Sequence, residues 1–210
     1  MLTRVGRLAP FTGVVFALLA FAGKGTAQPP PGVKASGEQV LAFSKLHAGS
    51  QRVADMLLIA GFAFFVLFAG SLRAHLRRSP EAEAASTVAL AGAAIMAGGV
   101  AVYIGLDFAA NAAPYALAPA AAQALNVLAL QLVFPLALGG FVFGIAAGAA
   151  ILRSRLLPTW IGWAAIVIGL TPLWILQVLM LYVWTIVVSV QLYRRTDTIE
   201  PSDLQSVSSS

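Results

Sequence analysis

Residues 127–152, VLALQLVFPLALGGFVFGIAAGAAIL, carry no charged side chain. At about 1.5 Å per helical residue the stretch extends about 39 Å, more than the roughly 30 Å hydrocarbon core of a bilayer, so it reads as a transmembrane helix. Gly140, Gly144 and Gly148 recur at four-residue spacing within it, which aligns them on one face and lets another backbone approach closely. The preceding apolar segment offers a matching stripe in Ala93, Ala97, Ala101, Gly105 and Ala109. The expectation is that these two stripes pack together at the centre of a bundle.

Composition agrees with that class. The chain of 210 residues is 60% hydrophobic and 10% charged, with a mean hydropathy of +0.88, whereas soluble domains average about 25% charged residues. Long unbroken apolar runs indicate helices, since barrel strands would alternate in polarity. The formal charge of +5 does not point to nucleic acid, because the basic residues sit in short clusters between apolar runs, the pattern that orients membrane proteins. With no cysteine, disulfides, thiolate metal sites and covalent haem attachment are excluded.

The expected architecture is an all-α, polytopic helical membrane bundle of about six spans, at 8–23, 53–72, 85–109, 127–152, 156–171 and 173–193. It forms a single domain, 1–195, followed by a disordered cytoplasmic tail, 196–210. The first run is short, and Gly25, Thr26 and Ala27 supply the small residues of a cleavage site, so it reads either as a retained helix or as a signal-peptide core. Pro29, Pro30 and Pro31 make an extended spacer. Ser36 with Gln39 three residues on is a capping box that starts a surface helix over about 37–50, with a bend at Gly49 and Ser50 before the second span. Pro135 predicts a kink, and Thr171-Pro172 a turn between two short spans.

Charge fixes the expected orientation. Arg4, Arg7, Arg73, Arg77, Arg78, Arg153, Arg155, Arg194 and Arg195 fall on one side of a six-span chain, and Lys24, Lys34, Lys45 and Arg52 on the other. The arginine-rich side is cytoplasmic by the positive-inside rule, which places both termini there. The expected location is the bacterial inner membrane.

LPTWIGWAAIVIGL, residues 157–170, and WTIVVSVQLYRR, residues 184–195, resemble the last two helices of bacterial multi-pass membrane proteins classed as domains of unknown function. The segment SGEQVLAFSKLHAGSQRVAD, residues 36–55, resembles theirs as well. The resemblance implies a multi-pass helical fold and carries no established activity. This chain departs from the pattern in the short connection between its last two helices.

Polar residues converge only at the outer face. His47, Gln51 and Asp55 are four apart and would share one side of a continuous helix; Asp107 and Asn111, also four apart, end the third helix at the same depth. Carboxylates with a histidine suit a proton relay or a ligand site, although helix ends also collect polar residues because they meet headgroups and water. Gln131 and Gln177 are expected to hydrogen-bond neighbouring helices, and Trp184 to pack inside the bundle. His47 and His75 fall on opposite membrane sides and cannot form a haem pair.

No nucleophile elbow, phosphate loop, zinc-protease or dinucleotide motif occurs. The interior holds amides and hydroxyls but no central charge, which favours a non-enzymatic accessory subunit or small sensor. A small-solute or proton-coupled transporter and a lipid-modifying enzyme are the alternatives. No cofactor, metal or nucleic-acid partner is implied; the bilayer is the one certain surrounding, and a homo-oligomer or membrane-protein partner stays open.

The absence of native cysteine permits a direct topology test. Single cysteines at Ser36, Ser79, Ser154 and Ser206 are expected to react with a membrane-impermeant maleimide in intact cells only at Ser36→Cys. Labelling of Ser206→Cys would eliminate the six-span arrangement.

Overall fold

A computed structural model describes residues 11–112, 115–171 and 174–196, and its described residues form helices joined by turns and short extended segments. We number the α-helices α1 (Thr12–Thr26), α2 (Gly37–Leu76), α3 (Glu83–Ala112), α4 (Pro119–Gln131), α5 (Val133–Ser154), α6 (Thr159–Leu170) and α7 (Trp174–Thr196). Four helical stretches are long and apolar enough to cross a membrane: Gly37–Leu76, Pro80–Asn111, Pro119–Ser154 and Leu176–Arg194. α1 and α6 are apolar but shorter. Positions 1–10, which include the start of the expected first span, and the expected tail from 197 onward lie outside the described residues.

The capping box forms as its residues dictate. Gln39 N–H donates to Ser36 Oγ at 3.4 Å, and Ser36 N–H donates to Gln39 Oε1 at 2.9 Å. From there α2 runs unbroken for 40 residues, about 60 Å at the α-helical rise. The expected division between a surface helix and a second span is absent, because Gly49 and Ser50 both lie in helical backbone. A four-residue 3.6-period ladder tolerates one glycine when flanking turns are strong helix formers, and nothing here removes an N–H. Leu58, Phe62, Phe65, Ala69, Leu72 and Leu76 recur every three or four residues along the buried seam of its inner half.

The expected fourth span divides. α4 stops at Gln131 and α5 begins at Val133, with Leu132 forming the turn between them. The cause is Pro135: its ring excludes a straight helical position for the carbonyl four residues back, that of Gln131. The kink expected at Pro135 therefore appears one turn earlier in the chain. Gln131 itself is exposed at this break and not a bridge between helices.

α5 is the central packing element, and its two glycine faces serve different neighbours. A Cβ on Gly139 would lie 2.5 Å from Met96 N, and one on Gly92 2.5 Å from Phe143 N, so α3 and α5 meet backbone to backbone through Gly92, Met96 and Gly139. On its other face a Cβ on Gly144 would lie 2.7 Å from Ala165 O, and one on Gly148 2.5 Å from Gly162 O, both on α6. Gly140 faces Gln177 of α7. This corrects the expected partnership. Gly140, Gly144 and Gly148 do not pack on α3, and the stripe of Ala97, Ala101 and Gly105 is not the α3 interface: Ala101 and Gly105 are exposed and Gly105 has no neighbour within 4 Å of an added Cβ.

Aromatic rings fill the inner half of the bundle. Phe16, Phe65, Phe143 and Trp184 form a chain with centroids 4.8, 5.0 and 5.8 Å apart, linking α1, α2, α5 and α7. Trp184 is buried and its Nε1 donates to Ile161 O at 3.0 Å, while Gln177 Nε2 donates to Gly169 O at 3.3 Å. These two bonds tie α7 to α6, the role expected of Gln177 and Trp184.

Opposite signs are predicted for two glycine substitutions. Gly139→Ala drives a Cβ into α3 backbone and should destabilise by about 1–3 kcal/mol, whereas Gly105→Ala meets open space and should be neutral or stabilising by up to about 1 kcal/mol. Melting in detergent checks this, and equal tolerance of both would refute the α3–α5 interface.

Candidate functional site

Antiparallel packing of α1 on α2 starts the site. A Cβ on Gly23 would lie 3.0 Å from Leu58 Cγ and 3.1 Å from Ala54 O, so only a residue without a side chain lets the two backbones come this close. Lys24, next in sequence, is thereby held beside Asp55, with which it interacts electrostatically. α3 supplies the remaining groups from the opposite side.

The carboxyl groups of Asp55 on α2 and Asp107 on α3 lie close enough to interact electrostatically. Asn111, almost fully buried, donates Nδ2 to Asp107 Oδ2 at 3.0 Å and to Asp107 O at 2.8 Å. Arg52 Nη2 donates to Asn111 O at 2.7 Å. The cluster thus unites two cations, two acids and an amide from three helices.

Of the residues singled out from the sequence, Asp55, Asp107 and Asn111 come together, and Gln51 lies one turn further out with a different task. Gln28 N–H donates to Gln51 Oε1 at 2.8 Å and Gln51 Nε2 donates to Gln28 O at 3.4 Å, clamping the proline-rich strap between α1 and α2. Asn126 Nδ2 holds the same strap at Pro31 O, 3.1 Å away. His47 is not part of the cluster; its ring packs on Phe43, centroids 4.8 Å apart. Lys24, Arg52 and Tyr103 are the members the sequence reading left out. The signal for Lys24 was present, since it ends the first apolar run at the same outer depth as the two acids.

Asp55 is only 3% exposed, and it lies 18 residues from Arg73 along α2, about 27 Å of helix. Tyr103, one turn before Asp107 on α3, interacts with both acids and points the site inward.

Immediately inward of these acids is a cavity of about 460 Å³. Leu58 and Phe62 of α2, Val100 and Tyr103 of α3, Ala129 to Leu136 around the α4–α5 break, and Val178 and Tyr182 of α7 form its wall, with Lys24 and Pro30 at one end. The break at Leu132 and the few direct contacts between α5 and α7 create this space. Pro30 and Ala129 also border a second, much smaller crevice that reaches Asp107 from the strap side. Asp107 thus borders the crevice, while Lys24 and Tyr103, which interact with the acids, border the cavity.

A mostly apolar chamber with a few convergent polar groups is the ordinary form of a small-molecule site. Among the described residues no group of three or more His, Cys, Asp or Glu side chains is placed to hold a metal ion. No protein-family model, no curated protein and no solved structure matches the chain.

Shape-preserving and shape-deleting changes at Asp107 should separate. Asp107→Asn keeps a partner for Asp55 and Asn111 and should melt within about 1 kcal/mol of the native chain, while Asp107→Ala strands both and should cost about 1–3 kcal/mol. Detergent melting of the purified variants is the check.

Proposed function

We propose that the chain is a non-enzymatic, six-span protein of the bacterial inner membrane, with both termini cytoplasmic, that binds a small molecule in the chamber beneath its outer acid cluster. The observation that carries this reading is a cavity of about 460 Å³ with Lys24, Tyr103 and Tyr182 on its wall, two of which, Lys24 and Tyr103, also interact with the buried acids. The orientation is supported by the arginine clusters at the ends of α2, α5 and α7. α1 and α6 complete the six crossings as thin spans that need local bilayer thinning or flanking residues reaching to the headgroups.

A binding protein needs a selective chamber and a way to report occupancy. Here the wall draws on six helices, so a bound molecule would bridge the α4–α5 break to α7 and stiffen a bundle whose α5 and α7 have few direct contacts. That is the action of a sensor or accessory subunit. The second reading, a proton-coupled carrier, is favoured by one specific feature: two neighbouring carboxyl groups, one of which, Asp107, borders the outer crevice.

Native mass spectrometry of the protein released from gentle detergent tests the first reading. The native chain is expected to carry a small-molecule adduct that Leu136→Trp, which fills the chamber, loses by at least about tenfold, the consequence of removing the apolar burial that holds a ligand. An adduct of equal occupancy in both would contradict it. In proteoliposomes, substrate-dependent proton movement abolished by Asp107→Asn would decide for the carrier.

A further inference from the structure

The chamber is cationic at its mouth and apolar below. Lys24 and Pro30 are exposed, whereas the other residues of its wall are buried or half-buried. The opening therefore lies where α1 ends and the proline strap begins. Phe16 stands eight residues before Lys24 on α1, about 12 Å of helix, and its ring meets that of Tyr182 with centroids 5.3 Å apart. From the lysine the space thus extends inward past Leu58, Phe62, Leu136 and Val178 toward the Tyr182 ring.

Few polar groups can reach its contents. The Tyr182 hydroxyl is itself buried, so this residue offers its ring, and neither Asp55 nor Asp107 belongs to the wall. Lys24 is the charged residue of the wall and is exposed. It interacts with Asp55, but an ammonium carries three N–H donors, and at an exposed position it can hold a second acceptor beside that acid. Moving a hydrocarbon chain from the bilayer into an apolar wall gains little, because lipid tails are as apolar as leucine. The head group therefore decides which chain stays. A carboxylate or phosphate would accept charge-assisted hydrogen bonds from Lys24, an uncharged head would make only a weaker bond, and a cationic head would meet a like charge.

We infer that the chamber holds the hydrocarbon chain of an anionic amphiphile, a fatty acid or an acidic bilayer lipid, with its carboxylate or phosphate at Lys24. The inference rests on the reading of the cavity as a binding chamber and names the class of molecule it takes. Its volume of about 460 Å³ lies toward the lower end of the roughly 300–1,000 Å³ of small-molecule pockets. That is room for one chain, so a two-chain lipid would leave its second chain in the bilayer.

The test reconstitutes the full-length protein in phosphatidylcholine nanodiscs with dodecanoate, dodecanol or dodecyltrimethylammonium, each carrying a diazirine near the chain end, and maps the labelled peptides after illumination. Phosphatidylglycerol bearing the same chain is a fourth probe. Dodecanoate is expected to label the peptides of Leu58–Phe62 and Val133–Leu136 about twofold to fivefold more than the alcohol or the amine, the worth of an ion pair near water. Lys24→Gln should remove that preference, Lys24→Arg should keep it, and Lys34→Gln, at an exposed lysine off the chamber wall, should leave it unchanged. Leu136→Trp should abolish chamber labelling by every probe. A preference shared by phosphatidylglycerol assigns the site to bilayer lipid, and one confined to dodecanoate assigns it to free fatty acid; either supports the inference. Equal labelling by all head groups, or a preference that survives Lys24→Gln, with labelling still lost in Leu136→Trp, would overturn the anionic head while leaving the chamber intact. Should Lys24→Gln fail to fold, the head-group comparison on the native chain decides alone. Chamber labelling that is absent from the native chain, or undiminished in Leu136→Trp, would overturn both.

Discussion

Close backbone approach at glycine is the constraint on which this structure depends. Lipid tails are as apolar as leucine, so helices in a bilayer gain little from burying apolar area against each other and must associate through van der Waals contact at short range. α5 meets α3 through Gly139 and Gly92, and α6 through Gly144 and Gly148. Two faces of one helix are thereby committed. α1 is drawn onto α2 in the same way at Gly23 and Gly61.

The rest follows from where those contacts stop. α6 is only 12 residues long, about 18 Å, so it covers α5 from Gly148 to Phe141, and beyond Gly140, which meets Gln177 of α7, the turns of α5 at Val133 and Leu136 border the cavity. The Pro135 break enlarges that space by ending α4 at Gln131. Gly23 meanwhile brings Lys24, which borders that space, beside Asp55. Packing thus sets both the chamber and the charges beside it, and the proline strap, clamped by Gln51 and Asn126, closes the outer end.

Local features were legible in the sequence because local chemistry decides them. The Ser36–Gln39 capping box, the apolar runs and the i, i+4 pairing of Asp107 with Asn111 each depend on residues within one turn. Partner choice was not legible. A four-residue glycine stripe gives a face but no neighbour, and alanine occurs on every side of α3, so Ala97, Ala101 and Gly105 looked as suitable as the true contact at Gly92, Met96 and Gly99. Lys24 was legible in part: the end of the first apolar run gives its depth, but its place beside Asp55 comes from antiparallel packing between segments far apart in the chain. The continuity of α2 through Gly49 and Ser50 shows that small residues permit a bend without imposing one.

The account stands or falls on the meeting of α2 and α3 at their acids. Because the chain has no cysteine, the double substitution Asp55→Cys with Asp107→Cys can be oxidised in native membranes and read as a mobility shift on a gel. Rapid, near-complete cross-linking is the predicted result. The control His47→Cys with Asp107→Cys, two helical turns further out and about 12 Å along α2, should stay uncrosslinked. Failure of the first pair to cross-link, or equal cross-linking of both, would contradict the site and the packing that builds it.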